Sequence, residues 1–462
     1  MKKKIVIIAS YFSGETYGLL GPQSAATVIA DHADFDCIVV GVTNEDDKKA
    51  LRSALQDYFG NQPPVVGFSL LSGREDLFLL AKELRDSGVQ TILGGPQSRS
   101  DYQGEIDWQR FPHRFKGLAD HFSCALAGPA EQAIPWLRNG ESSNREPKTA
   151  GLLYRKEDKG ISQNPIQPWN GKYLARVRWD NLFVLKSGRL IPQSIQTAQV
   201  LQQIGCPHAS RTRPVKIDFP AALKNRRGEK ITIKARGCTF CDVAADKGFC
   251  GSLDDETVCD QIRCLPEDAQ GRKIPFELIN ENPLAGLPRL IRRLKTEKVK
   301  ISQINLIMRA DWFLAGLPHL TEALHLIAEV DARILMASMG FEAFDDTLLK
   351  NFNKGITVEA NLDAVRQMRR LKELFPQTWL YSNREGAIHG LIHPTPWDSR
   401  ETDANTRKMF ALYGLPNDIL PAHSTPLIIH HAAALGDWFR AVEVQENFQC
   451  KRYGSIIGWW DL

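Results

Sequence analysis

The chain has 462 residues, 43% of them hydrophobic and 24% charged, the balance of an ordinary globular protein rather than a disordered one. At about one domain per 150 residues, this length suits two or three domains. A net charge of +4 is too small for this size to argue by itself for nucleic acid or membrane partners, and no run reaches the ~18 uncharged apolar residues of a membrane span.

The first strand, Ile5 to Ile8, follows three lysines and lacks the apolar core and cleavage site of a signal peptide, so a cytoplasmic protein is expected. Residues 1–140 then alternate apolar strands with helical patterns, the pattern of a doubly wound parallel sheet. Strands are expected at 36–40, 65–69, 89–93 and 124–127, with helices from about Gln23, over 74–87 and over 131–138. Small residues cluster where these strands end, as in Ser69-Leu70-Leu71-Ser72-Gly73 and Gly94-Gly95-Pro96. Such strand ends are where open α/β sheets bind ligands, because a missing side chain lets backbone amides approach. Residues 141–200, rich in polar residues, Pro and Gly, read as a linker in which Trp169 and Trp179 cap a flanking domain.

Nine cysteines, an odd number gathered mostly between Cys206 and Cys264, favour metal chemistry over a disulfide framework. The alternating strand Ile231-Ile233-Ala235 delivers Cys238 and Cys241 at its carboxyl end, and two thiols at that spacing can grip one metal or cluster. On these two alone, zinc, redox and iron–sulfur readings all stay open. A third thiol is offered by Cys206 in Gly205-Cys206-Pro207-His208 or by Cys250 in Gly248-Phe249-Cys250-Gly251.

From residue 230 the strand and helix pattern resumes, with strands expected at 231–235, 275–279, 303–308, 333–338, 387–392 and about 426–430. Six such units make a partial (β/α)6 barrel over 201–415, leaving 416–462 to close it or shape a substrate region. In parallel barrels the chemistry sits at the carboxyl ends of the strands. Those ends carry the cysteines, Glu281 in Asn280-Glu281-Asn282-Pro283, Arg309 before Ala310-Asp311, and Glu342 after Gly340-Phe341. His389 and His393 are four apart on an expected strand, about 13 Å from each other, which disfavours a joint metal role. His430-His431 and Trp459-Trp460 are expected to close the barrel or shape a pocket.

These residues resemble the radical S-adenosylmethionine enzymes, whose signature sets three cysteines at CxxxCxxC spacing. Here the signature is split: Gly205-Cys206-Pro207-His208 matches its front and Gly237-Cys238-Thr239-Phe240-Cys241-Asp242 its back, with the basic insertion 210–230 between. The resemblance implies a [4Fe–4S] cluster held by Cys206, Cys238 and Cys241, with Cys206 preferred over Cys250 because of its Gly-Cys-Pro-His context. Loop closure across the insertion is tolerable because its cost grows only logarithmically with length. The resemblance further implies that Glu281 holds the methionyl amino group of S-adenosylmethionine, that Glu342 takes its ribose, and that Ile388 and Gly390 pack on its adenine. Arg309 lies at the same mouth. Phe344 to Glu359 is similar to the LLxxxNKGxT run of this class, and His393 departs from a glutamate at the end of the GxIxGxxE pattern.

Residues 65–96 likewise resemble the cobalamin-binding domain in front of many such barrels. Ser69, Leu70, Ser72, Gly94 and Gly95 match positions that cradle the nucleotide tail and corrin. The loop after the first strand has no DxHxxG histidine, so cobalt is expected to lack a ligand from it. The implied activity is radical methylation of an unactivated carbon: a 5′-deoxyadenosyl radical abstracts hydrogen, and methylcobalamin supplies the methyl group. The expected partners are a small-molecule or peptide substrate and an electron donor such as flavodoxin or ferredoxin. The alternatives are oxidation or rearrangement with the same cofactors, and a zinc-bearing nucleic-acid-binding protein. Glu281 and Glu342 around the cysteines argue against the latter.

Overall fold

The computed structural model describes residues 2–139, 148–156, 160–242, 248–419 and 423–462. The chain divides into two compact units, Met1–Ala198 with Arg452–Ile456, and Gln199–Lys451 with Ile457–Leu462.

In the first unit, Lys3–Ser10 (β1), Phe35–Val42 (β2), Val65–Ser69 (β3), Gln90–Gly94 (β4) and Cys124–Leu126 (β5) run parallel in the order β5-β4-β3-β1-β2. Helices Leu20–His32, Lys48–Phe59 and Glu75–Asp86 make the crossovers. Alternation along β1 sends Val6 and Ile8 into one core with Phe68 and Leu77, and Ile5 and Ile7 into another with Val39 and Ile29. Both faces are therefore covered, as parallel strands with continuous apolar runs require. The strand order reverses between β1 and β3, which puts the ligand crevice of such a sheet at the carboxyl ends of those two strands.

The stretch 141–200 is not a linker. Leu152–Arg155 (β6) and Ile161–Gln163 (β7) extend the sheet beyond β5, and Leu182–Lys186 (β8) and Arg189–Pro192 (β9) extend it beyond β2. Residues 141–147 and 157–159 lie outside the described residues. Val39 N–H donates to the Asn181 carbonyl at 2.8 Å and Leu182 is fully buried, so β8 covers an edge that would otherwise present unpaired backbone groups. Trp179 packs against Gly18, where a Cβ would strike its ring. The first unit is thus larger than residues 1–140. It also takes Arg452–Ile456 from the expected barrel-closing region 416–462, through a buried two-pronged pair between Arg452 and Glu105 at 2.8 and 3.1 Å.

In the second unit, Ala198–Leu201 (β10) stands next to Phe276–Ile279 (β15), followed by the parallel strands Gln303–Arg309 (β16), Arg333–Gly340 (β17) and Trp379–Leu380 (β18). The fifth strand position is interrupted. Its first piece, β18, pairs with the start of β17, and its second, Gly390–Ile392 (β19), bridges the end of β17 at Glu342 and Leu391. His423–Thr425 (β20) pairs in parallel with β19, three residues earlier than the strand expected at 426–430. Six strand positions thus follow one another, the partial barrel anticipated.

Its first strand, however, is β10 and not Ile231–Ala235. Lys230–Arg236 (β13) pairs antiparallel with Thr212–Asp218 (β12) over its whole length, setting Val215 opposite Ile233 and Ile217 opposite Ile231. Two alternating segments with one apolar face each find each other locally, and that face packs with Trp438 and Phe439 of helix Ala434–Glu446. Gln203–Gly205 (β11) and Phe249–Ser252 (β14) form a second small antiparallel pair. Among the described residues no helix is long and apolar enough to cross a membrane.

Candidate active site

The chain runs from β10 through β11 to Cys206, which starts a short 3-10 turn, Pro207–Ser210. Gly205 permits this because its φ is +79° and a Cβ there would collide with the Gly248 carbonyl. That carbonyl accepts from Cys206 N–H at 2.8 Å. Burial pushes the Cys206 thiol up, as does Glu281, while the backbone N–H groups of His208 and Ala209 and the Arg309 guanidinium pull it down. Cys238 follows β13 after Gly237, which sits at φ +72° against Ala209. Burial raises the Cys238 thiol as well, opposed by Lys354 and Arg309. Arg309 Nη1 lies 3.8 Å from Cys238 Sγ. Cys241 follows one turn later, its N–H on the Cys238 carbonyl.

The carboxylates gather here too. Glu281 follows β15 and is open to solvent, yet enough protein surrounds it that lost solvation raises its pKa, against the pull of Lys354 and Arg309. Its neighbour Asn280 is tied by its side chain to Gln202, 2.8 Å away, which locks the Glu281 turn to β10. Glu342, at φ +54°, accepts a 2.6 Å bond from the buried Lys354 ammonium on Oε1, while its buried Oε2 has no hydrogen-bond partner among the described residues. Burial lowers the Lys354 pKa, but Glu342 and Cys238 more than offset this and hold it charged.

One tight turn, Asn351 to Gly355, braces all of this. The Asn353 side chain donates to the Gly237 carbonyl at 2.7 Å, and the Asn353 carbonyl accepts from His208 Nε2 at 2.9 Å. Thr239 bonds the Phe352 carbonyl through its N–H and the Asn351 carbonyl through its hydroxyl, both at 2.9 Å. Arg309, paired with Asp311 at 3.0 and 3.1 Å, donates to the Lys354 carbonyl at 2.5 Å. Sequence reasoning set Cys206, Cys238, Cys241, Glu281, Arg309 and Glu342 at one mouth, and the structure brings them together. It missed His208, Asn353 and Lys354. The signal available for them was the Asn-Lys-Gly triplet, noted as part of a motif but given no task.

Ile388 and Gly390 flank the same mouth: Ile388 N–H bonds the Ala337 carbonyl of β17 at 2.6 Å, and its side chain is exposed. His389 between them is fully buried, its Nδ1 accepting from Met339 N–H at 3.0 Å and its Nε2 donating to the Tyr381 carbonyl at 2.6 Å. Both nitrogens are thus committed to backbone, which excludes a shared metal with His393. Trp459 is also structural, with its indole on the Leu427 carbonyl at 2.7 Å. Cys250 is exposed on β14, and Cys259 is buried on helix Asp255–Arg263.

In the first unit, Ser69 ends β3 with Leu70 and Ser72 after it, and Gly94 ends β4 with Gly95 after it, on the crevice edge. Ser72 bonds Gln97 at 2.8 Å, and Ser10 Oγ accepts from Leu71 N–H at 3.1 Å. A Cβ on Gly94 would meet only the Phe68 carbonyl at 3.7 Å, so the fold itself leaves room there. Gly95, at φ +78° and hard against Ser69, is required by the backbone. Phe12 and Leu71, 64% and 45% exposed, stand after β1 and β3 as apolar surface beside the crevice.

No protein-family model matches this sequence, and no curated protein matches it. Solved structures do. The chain aligns over 98% of its length with OxsB, a cobalamin-dependent S-adenosylmethionine radical enzyme solved with aqua-cobalamin and S-adenosylmethionine bound, at 13% identity and TM-score 0.59, and spans 64% of that protein. It aligns over 94% of its length with the radical S-adenosylmethionine methyltransferase TsrM of Kitasatospora setae, solved with cobalamin and a [4Fe–4S] cluster, at 16% identity and TM-score 0.57, spanning 77% of that protein. Both units and the order of their elements are covered by these alignments, so the chain has the fold of the cobalamin-dependent radical S-adenosylmethionine enzymes.

Proposed function

We propose that the chain is a cobalamin-dependent radical S-adenosylmethionine enzyme that methylates an unactivated carbon. The observation that carries this reading is the convergence of two separated cysteine loops with Glu281 and Glu342 at the carboxyl ends of parallel strands, the cysteine loops and Glu342 bonded to one turn and Glu281 within the field of its Lys354. Cys206, Cys238 and Cys241 would hold a [4Fe–4S] cluster. The donor set fits: thiolates are its ligands, backbone N–H groups of His208 and Ala209 already face the Cys206 sulfur, and Arg309 and Lys354 offset the thiolate charge. Glu281 would accept from the methionyl ammonium of S-adenosylmethionine. Glu342, with Oε1 held by Lys354, has Oε2 free to accept from a ribose hydroxyl. The crevice between β1 and β3 suits cobalamin, since Gly94 leaves backbone accessible and Phe12 and Leu71 offer apolar surface.

When bound, these cofactors supply reductive cleavage of S-adenosylmethionine, hydrogen abstraction by the resulting radical, and the methyl group. The protein contributes orientation and exclusion of water. A cavity of about 360 Å³ beside Glu342, lined among others by Phe344, Leu391, His393, Asp403 and Arg407, is of a size for a small-molecule or peptide side-chain substrate. The test is anaerobic reconstitution followed by iron and sulfide analysis, and by assay for 5′-deoxyadenosine and for label transferred from methyl-labelled S-adenosylmethionine to extract components. Cluster, cobalamin retention and a methylated product support the proposal. 5′-Deoxyadenosine without methyl transfer favours radical oxidation or rearrangement, and stoichiometric zinc without cleavage refutes both.

A further inference from the structure

The hairpin of β12 and β13 is inserted between the first and second cysteines, and its buried face is accounted for by the core. Its other face is not. Residues 211–236 hold nine Lys and Arg against two acidic residues, an excess larger than the net +4 of the whole chain, so the remainder is slightly acidic. Strand register puts Lys216, Lys234 and Arg236 on the outward side, while Arg211, Arg213 and Arg227 are exposed elsewhere on the hairpin, Arg213 in register with Ala235 of the apolar face. Lys230 is paired with Asp218, and Arg226 with Glu229 and Glu446; among the described residues the six cations just named have no ion pair. Lys216 and Lys234 are diagonal neighbours on one face, and like charges so placed cost stability. Packing alone gives no reason for them.

The face leads directly to the cysteines. Lys234 is four residues from Cys238, at most about 13 Å of extended chain. Arg236 is two residues from it, and its guanidinium lies against Gly248, whose carbonyl holds Cys206 N–H. We infer that this hairpin face docks a small acidic redox protein that delivers one electron to the cluster. The inference rests on the function proposed above. In the step, the donor is oxidised by one electron and the cluster reduced by one, with no atom transferred. A negatively charged protein surface complements the strip and is steered to it. Nucleic acid is the other polyanion, but no large hydrophobic side chain is exposed over 211–236, so the hairpin lacks the aromatic platform on which bases stack.

The test uses the reconstituted full chain, wild type and a Lys216→Glu, Lys234→Glu variant, with a Lys216→Gln, Lys234→Gln variant as a milder step. Two donors are compared: reduced flavodoxin as the acidic protein, and methyl viologen radical cation as a small donor that needs no docking surface. Flavodoxin binding and the rate of cluster bleaching are both measured against salt. Charge reversal is expected to weaken binding and slow reduction by flavodoxin by about tenfold or more and to flatten the salt dependence, with the glutamine variant between and viologen reduction not slowed. Flavodoxin binding and reduction indifferent to both variants overturn the inference, as does a charge-dependent affinity for an RNA oligonucleotide without any for flavodoxin. A wild type that holds no cluster refutes the proposed function instead, and flavodoxin binding then still reports on the hairpin.

Discussion

The side-chain amide of Asn353 donates to the carbonyl of Gly237 across 2.7 Å, one residue before Cys238. The carbonyl of the same asparagine takes the ring of His208, two residues after Cys206. One residue therefore registers the two halves of the divided motif, and the long insertion between them need not do so.

Replacing Asn353 by Ala removes the bond to Gly237 and leaves a residue with a Cβ at φ +50°, for a cost of about 1–3 kcal/mol. The apo protein is expected to fold with a lower urea midpoint and, after reconstitution, to lose iron faster to a chelator. His208→Ala should give the same chelator sensitivity with a smaller stability change. Iron release at the wild-type rate in both variants would show that the turn does not position the cysteines.

Cys206→Ala and Cys250→Ala separate the candidates for the third thiolate. Cys206 shares charge interactions with Cys238, Glu281 and Arg309, whereas Cys250 is exposed on β14. Iron content and 5′-deoxyadenosine formation are expected to collapse in the first variant and persist in the second. The reverse pattern would move the assignment to Cys250.

Gly94→Leu tests the first unit. Because the protein leaves room for a Cβ there, the variant should keep its thermal midpoint within a few degrees and yet lose cobalamin on desalting, through blocked approach of ligand to backbone. Retention equal to wild type would place the corrin elsewhere.

Lys354→Met leaves Glu342 without its buried partner, and breaking such a pair from one side costs about 3–5 kcal/mol. Urea unfolding of the apo protein should show most of this recovered by adding Glu342→Gln. A double variant as unstable as the single one would argue that the ammonium serves the thiolates rather than the carboxylate.

His389 is held neutral by burial, its pKa below the ordinary 6.5. Below that pH the unfolded chain takes up a proton that the folded chain refuses, so stability falls by up to about 1.4 kcal/mol per pH unit until the folded-state pKa is reached. His389→Gln should remove part of the slope between pH 6.5 and 5. Only part is expected, because burial depresses His208 and His121 in the same direction.

The first sheet was legible because Ile5 to Ile8 and Cys37 to Val42 are apolar on both faces, a pattern that suits a central parallel strand. The strand-end residues Cys238, Glu281, Arg309 and Glu342 were legible for a different reason: each follows an apolar run and precedes a helix or turn. Period-two alternation in Ile231, Ile233 and Ala235 fixes a face but not a partner, so the same residues serve a barrel or a hairpin equally. The matching alternation of Val215 and Ile217 in the insertion was the missing clue. Leu182-Phe183-Val184 was too short, between polar residues, to stand out from the supposed linker. The role of Asn353 depends on contacts far along the chain, which no local pattern carries.

Glu105 and Arg452 are 347 residues apart, and the carboxylate has no exposed side-chain surface. At 5–20 residues per second, the ribosome releases Arg452 roughly 17–70 s after Glu105. Until then the nascent first unit holds a carboxylate destined for burial without its guanidinium, so its last stretch of folding belongs after translation of the barrel. A fragment ending near residue 200 would keep that deficit permanently and should be more prone to aggregation than its apolar core suggests.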